Sequence, residues 1–205
     1  MRKLLLLFLC VSFMWTFNPQ TVKAQGFEAK KVYVDLGIGF PRYSYGANLF
    51  GIGYYGYAYN SYRTPSFKLS VRYGFNDFIS GGLYAGYAHN GWKTTDANGF
   101  ESNDRSTYIP VGVGASFHVW SFLNKTLDLG LGAENLDLYV TLMTGAQIRM
   151  YSEKRPTYTD AYTRVNPFVG SLVGARYFFI NNIGVFAEFG YGMNSYLTGG
   201  ITFKF

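Results

Sequence analysis

Cysteine, histidine and charge are all scarce in these 205 residues, and long apolar runs occur only at the N-terminus. Cys10 is the single cysteine and lies within the first 24 residues. The chain that follows them can form no disulfide framework, thiol nucleophile or thiolate metal site. The two histidines, His89 and His118, fall in different strand-like segments near opposite ends of the expected fold, too far apart to share a metal. Charged residues make up 15 % of the sequence, yet apolar residues reach 48 %. After residue 24 no run approaches the ~18 apolar residues of a membrane-spanning helix. The hydrophobicity is instead divided among many short segments.

The N-terminus is read separately. Met1-Arg2-Lys3 is basic, Leu4–Phe17 is an apolar stretch of fourteen positions, and Val22-Lys23-Ala24 places small residues at −3 and −1. This is the pattern of a secretory signal peptide over 1–24, with cleavage before Gln25. Leu9 precedes Cys10, where a lipoprotein site needs a small residue. Removal of Arg2, Lys3 and Lys23 leaves 15 basic against 12 acidic residues, a net charge of +3. That balance gives no support to nucleic-acid binding.

Residues 25–205 read as one domain of alternating strands. Eight segments alternate apolar with small or polar residues: Val32–Phe40, Phe67–Phe75, Ile79–Ala88, Ile109–Val119, Leu136–Arg149, Phe168–Phe179, Gly184–Gly192 and Leu197–Phe205. Strands of about ten residues cross a bilayer when tilted. Asp35, Lys68, Arg72, Asp137, Arg149, Arg176, Glu188 and Lys204 all share the glycine-bearing face, opposite the aliphatic and aromatic face. Glycine leaves room in a narrow lumen for long side chains. The charged face is therefore expected to point inward as a side-chain network, with the apolar face outward. Tyr73, Phe75, Tyr177, Phe179, Phe203 and Phe205 stand at strand ends on the apolar face, as an interfacial girdle requires.

The connections give the topology. Asn76-Asp77 and Asn181-Asn182 are tight turns, whereas 41–65, 89–107 and 150–166 read as long loops on the other side. Segment 120–135 is open between a helical turn and a further strand piece. An even strand number puts both termini on the short-turn, periplasmic side. A three-residue turn Asn76-Asp77-Phe78 sets Arg72 opposite Gly82 and Lys68 opposite Gly86. The same logic at Asn181-Asn182-Ile183 sets Arg176 opposite Glu188.

The segments SVRYGFNDFISGGLYAGYAHN and GARYFFINNIGVFAEFGYGMNSYLTGGITFKF, with the leader and the terminal Ile201, Phe203 and Phe205, resemble the small porin-like outer-membrane barrel family, whose architecture is that of the OmpA, OmpX and OmpW barrels. The resemblance implies an all-β fold, an eight-stranded antiparallel up-and-down transmembrane β-barrel, in the outer membrane of a Gram-negative bacterium. It also implies outer-membrane lipid and the barrel assembly machinery as partners, with Ile201, Phe203 and Phe205 as the assembly signal. It defines no reaction and no cofactor.

The expected role is structural or of surface-interaction type, with a narrow channel for small or apolar solutes as the alternative. An exposed surface of Tyr54, Tyr55, Tyr57 and Tyr59 in the 41–65 loop could contact an extracellular ligand, or could simply extend the first hairpin. Ser116 and His118 share a strand face, which raises an outer-membrane lipid-modifying hydrolase as a remote third reading. Their position inside the lumen argues against it. Asp96-Ala97-Asn98-Gly99 lacks the third acidic position and the closing glutamate of a calcium loop and reads as a turn.

Overall fold

A computed structural model describes residues 26–41, 59–95, 99, 101–127, 133–155, 159–191 and 194–205. The proposed leader and Tyr54, Tyr55 and Tyr57 lie outside these residues. Tyr59 enters only as the first residue of a strand.

The described strands are β1 (Val32–Pro41), β2 (Tyr59–Arg63), β3 (Ser66–Gly74), β4 (Ile79–Thr95), β5 (Glu101–His118), β6 (Leu136–Lys154), β7 (Thr159–Ile180), β8 (Ile183–Tyr191) and β9 (Ser195–Lys204). One helix, α1 (Val119–Thr126), joins β5 to β6. Every pairing is antiparallel. The order β4-β3-β1-β9-β8-β7-β6-β5 closes through β4–β5 into an eight-membered ring. β2 pairs with β4 at residues 90–94, above the part of β4 that holds β3. β2 and β3 are thus one wall position interrupted at Thr64-Pro65. Proline has no N–H to give the ladder, and Thr64 bridges the break by accepting from the His89 N–H on its hydroxyl at 3.0 Å. The chain's last strand meets its first, with Val32 and Phe205 exchanging backbone hydrogen bonds of 2.9 and 3.1 Å. No edge is left open at that seam, as hydrocarbon requires.

Strand alternation sorts the side chains. Outward-facing Val169, Leu142 and Phe189 are 72 %, 64 % and 65 % exposed, whereas inward-facing Asp35, Arg176 and Glu188 are 0 %, 1 % and 2 % exposed. In a water-soluble barrel these values would be reversed.

The hairpins correct the sequence reading in three places. β4–β5 and β6–β7 remain paired to Thr95/Glu101 and Lys154/Thr159. Most of the expected loops 89–107 and 150–166 is therefore strand. Both faces are polar there, so the apolar period disappears while the ladder continues. Segment 120–135, open between a helical turn and a strand piece, begins as the helix α1, in agreement with the first of these; its Phe122 ring packs 5.7 Å from Phe78 and 5.6 Å from Phe117.

The third correction concerns register. At Asn76-Asp77-Phe78 the expected pairs Lys68–Gly86 and Arg72–Gly82 are formed. At the other tight turn Ile180 pairs with Ile183 around Asn181-Asn182, and a bulge between Phe178 and Ile180 shifts the ladder. Glu188 then faces Gly174, and Arg176 faces Phe186. Arg176 and Glu188 are not a cross-strand pair. A two-residue turn has the wrong parity for a common lumen face, and one bulged residue restores it.

Candidate functional site: a charged and aromatic barrel lumen

Ion pairs from five strands meet across the lumen. β1 supplies Asp35, β3 Lys68 and Arg72, β6 Asp137, β7 Arg176 and β8 Glu188. Arg176 reaches Asp35 through Nε (3.3 Å) and Nη2 (3.1 Å), and Asp137 through Nη1 (3.0 Å). Arg72 bridges Asp35 and Glu188, and Lys68 closes on Glu188. Ser70 and Tyr139 hydroxyls donate to Asp35 (2.7 Å) and Glu188 (2.8 Å). Three cations and three carboxylates therefore cancel within one connected set. Buried ions of this kind persist only when paired and hydrogen-bonded on most sides.

Aromatic rings fill the space between the charges. The Arg176 and Arg72 guanidinium carbons lie 4.3 and 4.9 Å from the Tyr139 ring centre. Gly174 is directly opposite Tyr139 in the ladder. A Cβ at Gly174 would fall 2.3 Å from that ring, so the strand needs glycine for the tyrosine to lie flat across the lumen.

Two expected members stand apart. Lys204 pairs with Glu28 at the short-turn mouth, with its ammonium 4.8 Å from the Phe178 ring. Arg149 lies higher in β6 and stacks on Tyr108 and Tyr151 at 5.3 and 5.9 Å. It belongs to an upper aromatic layer, away from the six-residue ion set.

The structure also brings together side chains that the sequence reading did not join. Ser80 Oγ lies 2.8 Å from His118 Nε2, and His118 Nδ1 lies 2.8 Å from Asp137 Oδ1. The carboxylate can only accept, so Nδ1 donates to it and Nε2 accepts the serine proton in the neutral ring. Ser116, the expected partner of His118, instead bonds Thr141 (2.8 Å) and Arg72 (3.2 Å). Ser80 and His118 belong to adjacent strands, β4 and β5. Only the β4–β5 register, with Ser80 beside Ser116 and one step from His118, could have revealed the contact. The order is that of a hydrolytic relay, but Phe27 lies flat on the His118 ring, 3.4 Å between centres and 7° between planes. Phe27 belongs to a short strap, residues 26–31, that closes this mouth. Gly26 N–H donates to Glu134 O (2.6 Å), and Lys30 N–H to Gly74 O (2.7 Å). Above the ion set, the gap bordered by Lys68, Arg72, Tyr84, Thr141 and Met143 is about 10 Å³, the size of one water. Among the described residues no group of three or more potential ligands could hold a metal ion.

The outer wall completes the site's definition. Tyr73, Phe75, Tyr177, Phe179 and Phe205 are exposed at the short-turn end, below a band of Leu, Val, Ile and Phe. No described helix is long and apolar enough to cross a membrane; the strands serve that purpose. A closed ring with polar interior, apolar wall and aromatic rim is a transmembrane β-barrel of the outer-membrane class.

No family model matches the chain, and no curated protein matches it. Among solved structures it is similar to Ail, the attachment invasion locus protein of Yersinia pestis, at 13 % identity over 87 % of this chain and 100 % of that one, with a TM-score of 0.46. It is similar to OprG from Pseudomonas aeruginosa at 12 % identity over 89 % and 99 % of the two chains, TM-score 0.49. The N-terminal β-barrel domain of OprF from Pseudomonas aeruginosa aligns at 14 % identity over 86 % and 98 %, TM-score 0.42. The barrel assignment rests on the strand ring and its inside-out burial. The likeness carries no activity or ligand to this chain.

Proposed function

We propose that the protein is a non-conducting outer-membrane barrel of surface-interaction type, with residues 1–24 removed as a leader and both termini periplasmic. The long ends of β4–β7 then stand outside the cell as the working surface. β2 ties the end of the Tyr-rich 41–65 segment to this sheet through β4, so Tyr54, Tyr55, Tyr57 and Tyr59 are assigned to the same contact region.

One observation carries the closed-lumen part of this reading: the neutral six-residue ion set spans the barrel interior and leaves a gap of about 10 Å³ beside it. An ion crossing the barrel would have to break several paired charges at once. The strap under Phe27 adds a second closure. The hydrolase reading gains the Ser80–His118–Asp137 contacts but lacks a substrate space, because Phe27 occupies the face of the imidazole.

Planar-bilayer recording on the refolded barrel tests this. The expected result is no unitary current, both for residues 25–205 and after deletion of 41–65. Regular single-channel steps from either would overturn the plugged-barrel reading.

A further inference from the structure

Above the apolar band, β4–β7 continue as a four-stranded sheet, and its register sorts charge by face. The last outward apolar row is Ile109, Ile148 and Val165. The next outward row is His89, Thr107, Met150 and Thr163, then Gly91, Arg105, Ser152 and Ala161, then Lys93, Asn103, Lys154 and Thr159. The intervening inward row holds three carboxylates side by side: Asp104, Glu153 and Asp160. Arg155 pairs with two of them, and Trp92 Nε1 donates to Asp104 at 2.6 Å.

The described acids of these rows thus keep to the inward face, where Arg155 and, nearer the band, Arg149 and Arg164 balance them, and the outward face is left with a net positive charge. Lys93, Arg105 and Lys154 are exposed on the outward face. Among the described residues, the one acid on that face of the four strands is Glu101, at the hairpin tip. A groove of about 400 Å³ opens here, bordered by His89, Arg105, Thr107, Ser152 and Thr163. It lies directly above wall that faces acyl chains.

We propose that this outward ring binds the phosphorylated headgroup of an outer-leaflet glycolipid, whose acyl chains lie on the Ile109–Ile148–Val165 wall. Arg105 offers a planar fork to a phosphate. Lys93 and Lys154 flank Asn103 one same-face step beyond it and supply point charges. Thr107, Ser152 and Thr163 provide hydroxyls for phosphate or sugar oxygens. The occupant is a lipid because the cations are continuous with the apolar wall, and it is anionic because acids are turned to the other face. This inference rests on the reading that the long hairpins are extracellular.

The test uses the refolded chain 25–205 in non-ionic detergent, with bound lipid read by native mass spectrometry. The probes are phosphorylated lipid A, its dephosphorylated form and inorganic phosphate. The comparison variant combines Lys93→Gln, Arg105→Gln and Lys154→Gln, and heat-modifiable gel mobility verifies that it folds. Each cation near a lipid surface contributes roughly a factor of five, so the triple variant should bind phosphorylated lipid A about 100-fold more weakly. Dephosphorylated lipid should show a similar loss. Equal binding of the two lipids, or undiminished binding by the variant, overturns the site. Inorganic phosphate that displaces lipid A at matching concentrations overturns the lipid as occupant in favour of a soluble anion. A Glu101→Cys variant, in a mature chain otherwise without cysteine, reports orientation by maleimide labelling of intact cells. Absent labelling overturns the extracellular placement and with it the outer-leaflet glycolipid. Labelling without phosphate-dependent binding overturns the site alone.

Discussion

Replacing Arg176 with Met removes the centre of the lumen network while keeping an unbranched, uncharged stem. Two hydrogen bonds to Asp35 and one to Asp137 are lost. Asp35 keeps Arg72 and Ser70, but Asp137 keeps only His118 among these contacts. The six-residue set goes from neutral to a charge of −1 in a space without room for bulk water. Removing one partner of a buried pair costs about 3–5 kcal/mol, because the other ion remains desolvated and uncompensated. The same deletion in a water-filled lumen would cost about 0–1 kcal/mol. Urea unfolding of the barrel in lipid vesicles separates these ranges. Tryptophan fluorescence can report it through Trp92 and Trp120, and heat-modifiable mobility counts the folded fraction. A second variant, Arg176→Met with Asp137→Asn, removes the stranded charge and should regain more than half of the loss. A single-variant loss below about 1 kcal/mol would refute the packed, dry interior on which the plugged-barrel reading stands.

Other consequences are simpler to measure. Gly174→Ala puts a methyl into the Tyr139 ring and should lower stability by about 1–3 kcal/mol; an unchanged urea midpoint would contradict the close packing. Phe27→Ala removes the ring stacked on His118 and should lower stability by about 3 kcal/mol, yet bilayers should stay silent because the ion layer above is untouched. Deleting Phe205 removes the residue that exchanges hydrogen bonds with Val32 and, if the terminal residues are the assembly signal, blocks membrane insertion; normal heat-modifiable protein in the outer membrane would refute that role. A fluorophosphonate probe should leave the barrel unlabelled, and labelling abolished by Ser80→Ala would overturn the non-enzymatic reading.

Faces were legible in the sequence, and contacts much less so. Alternation alone separated Asp35, Lys68, Arg72, Asp137, Arg176 and Glu188 from the lipid-facing residues, because period two leaves a side chain no third option. The Asn76 hairpin could also be registered: the Asn76 side-chain oxygen accepts from the Phe78 and Ile79 N–H groups at 2.8 Å each, a local device written in the turn itself. At Asn181-Asn182 parity was the only constraint. A bulge at Phe179 satisfies it as well as a longer turn does, and moves Glu188 two residues away from Arg176. Cross-lumen partners such as Arg176 and Asp35 depend on barrel closure, which no pair sum within one hairpin contains. The upper strands were missed for a different reason. With polar residues on both faces, 89–95 and 150–154 show no apolar period, so their strand character rests on backbone pairing alone.

That missing period makes the charge sorting above the band informative. Inside the bilayer, alternation is enforced, since ions cannot face hydrocarbon. In the upper half of β7, residues 159–167 are exposed on both faces, and water would accept acids and bases on either side. Yet the carboxylates Asp104, Glu153 and Asp160 keep to the inward face, which Arg149 and Arg164 share, while Lys93, Arg105 and Lys154 stand on the outward face with Glu101 alone among the described acids. The lumen set and the Lys204–Glu28 pair each cancel, so the +3 of residues 25–205 is carried by residues outside these two groups. A solvated sheet has no need of such segregation, whereas a sheet with anionic headgroups against one face does. The outward cations are best explained by what lies beside the barrel, and the inward acids by the requirement to keep that side free of repulsion.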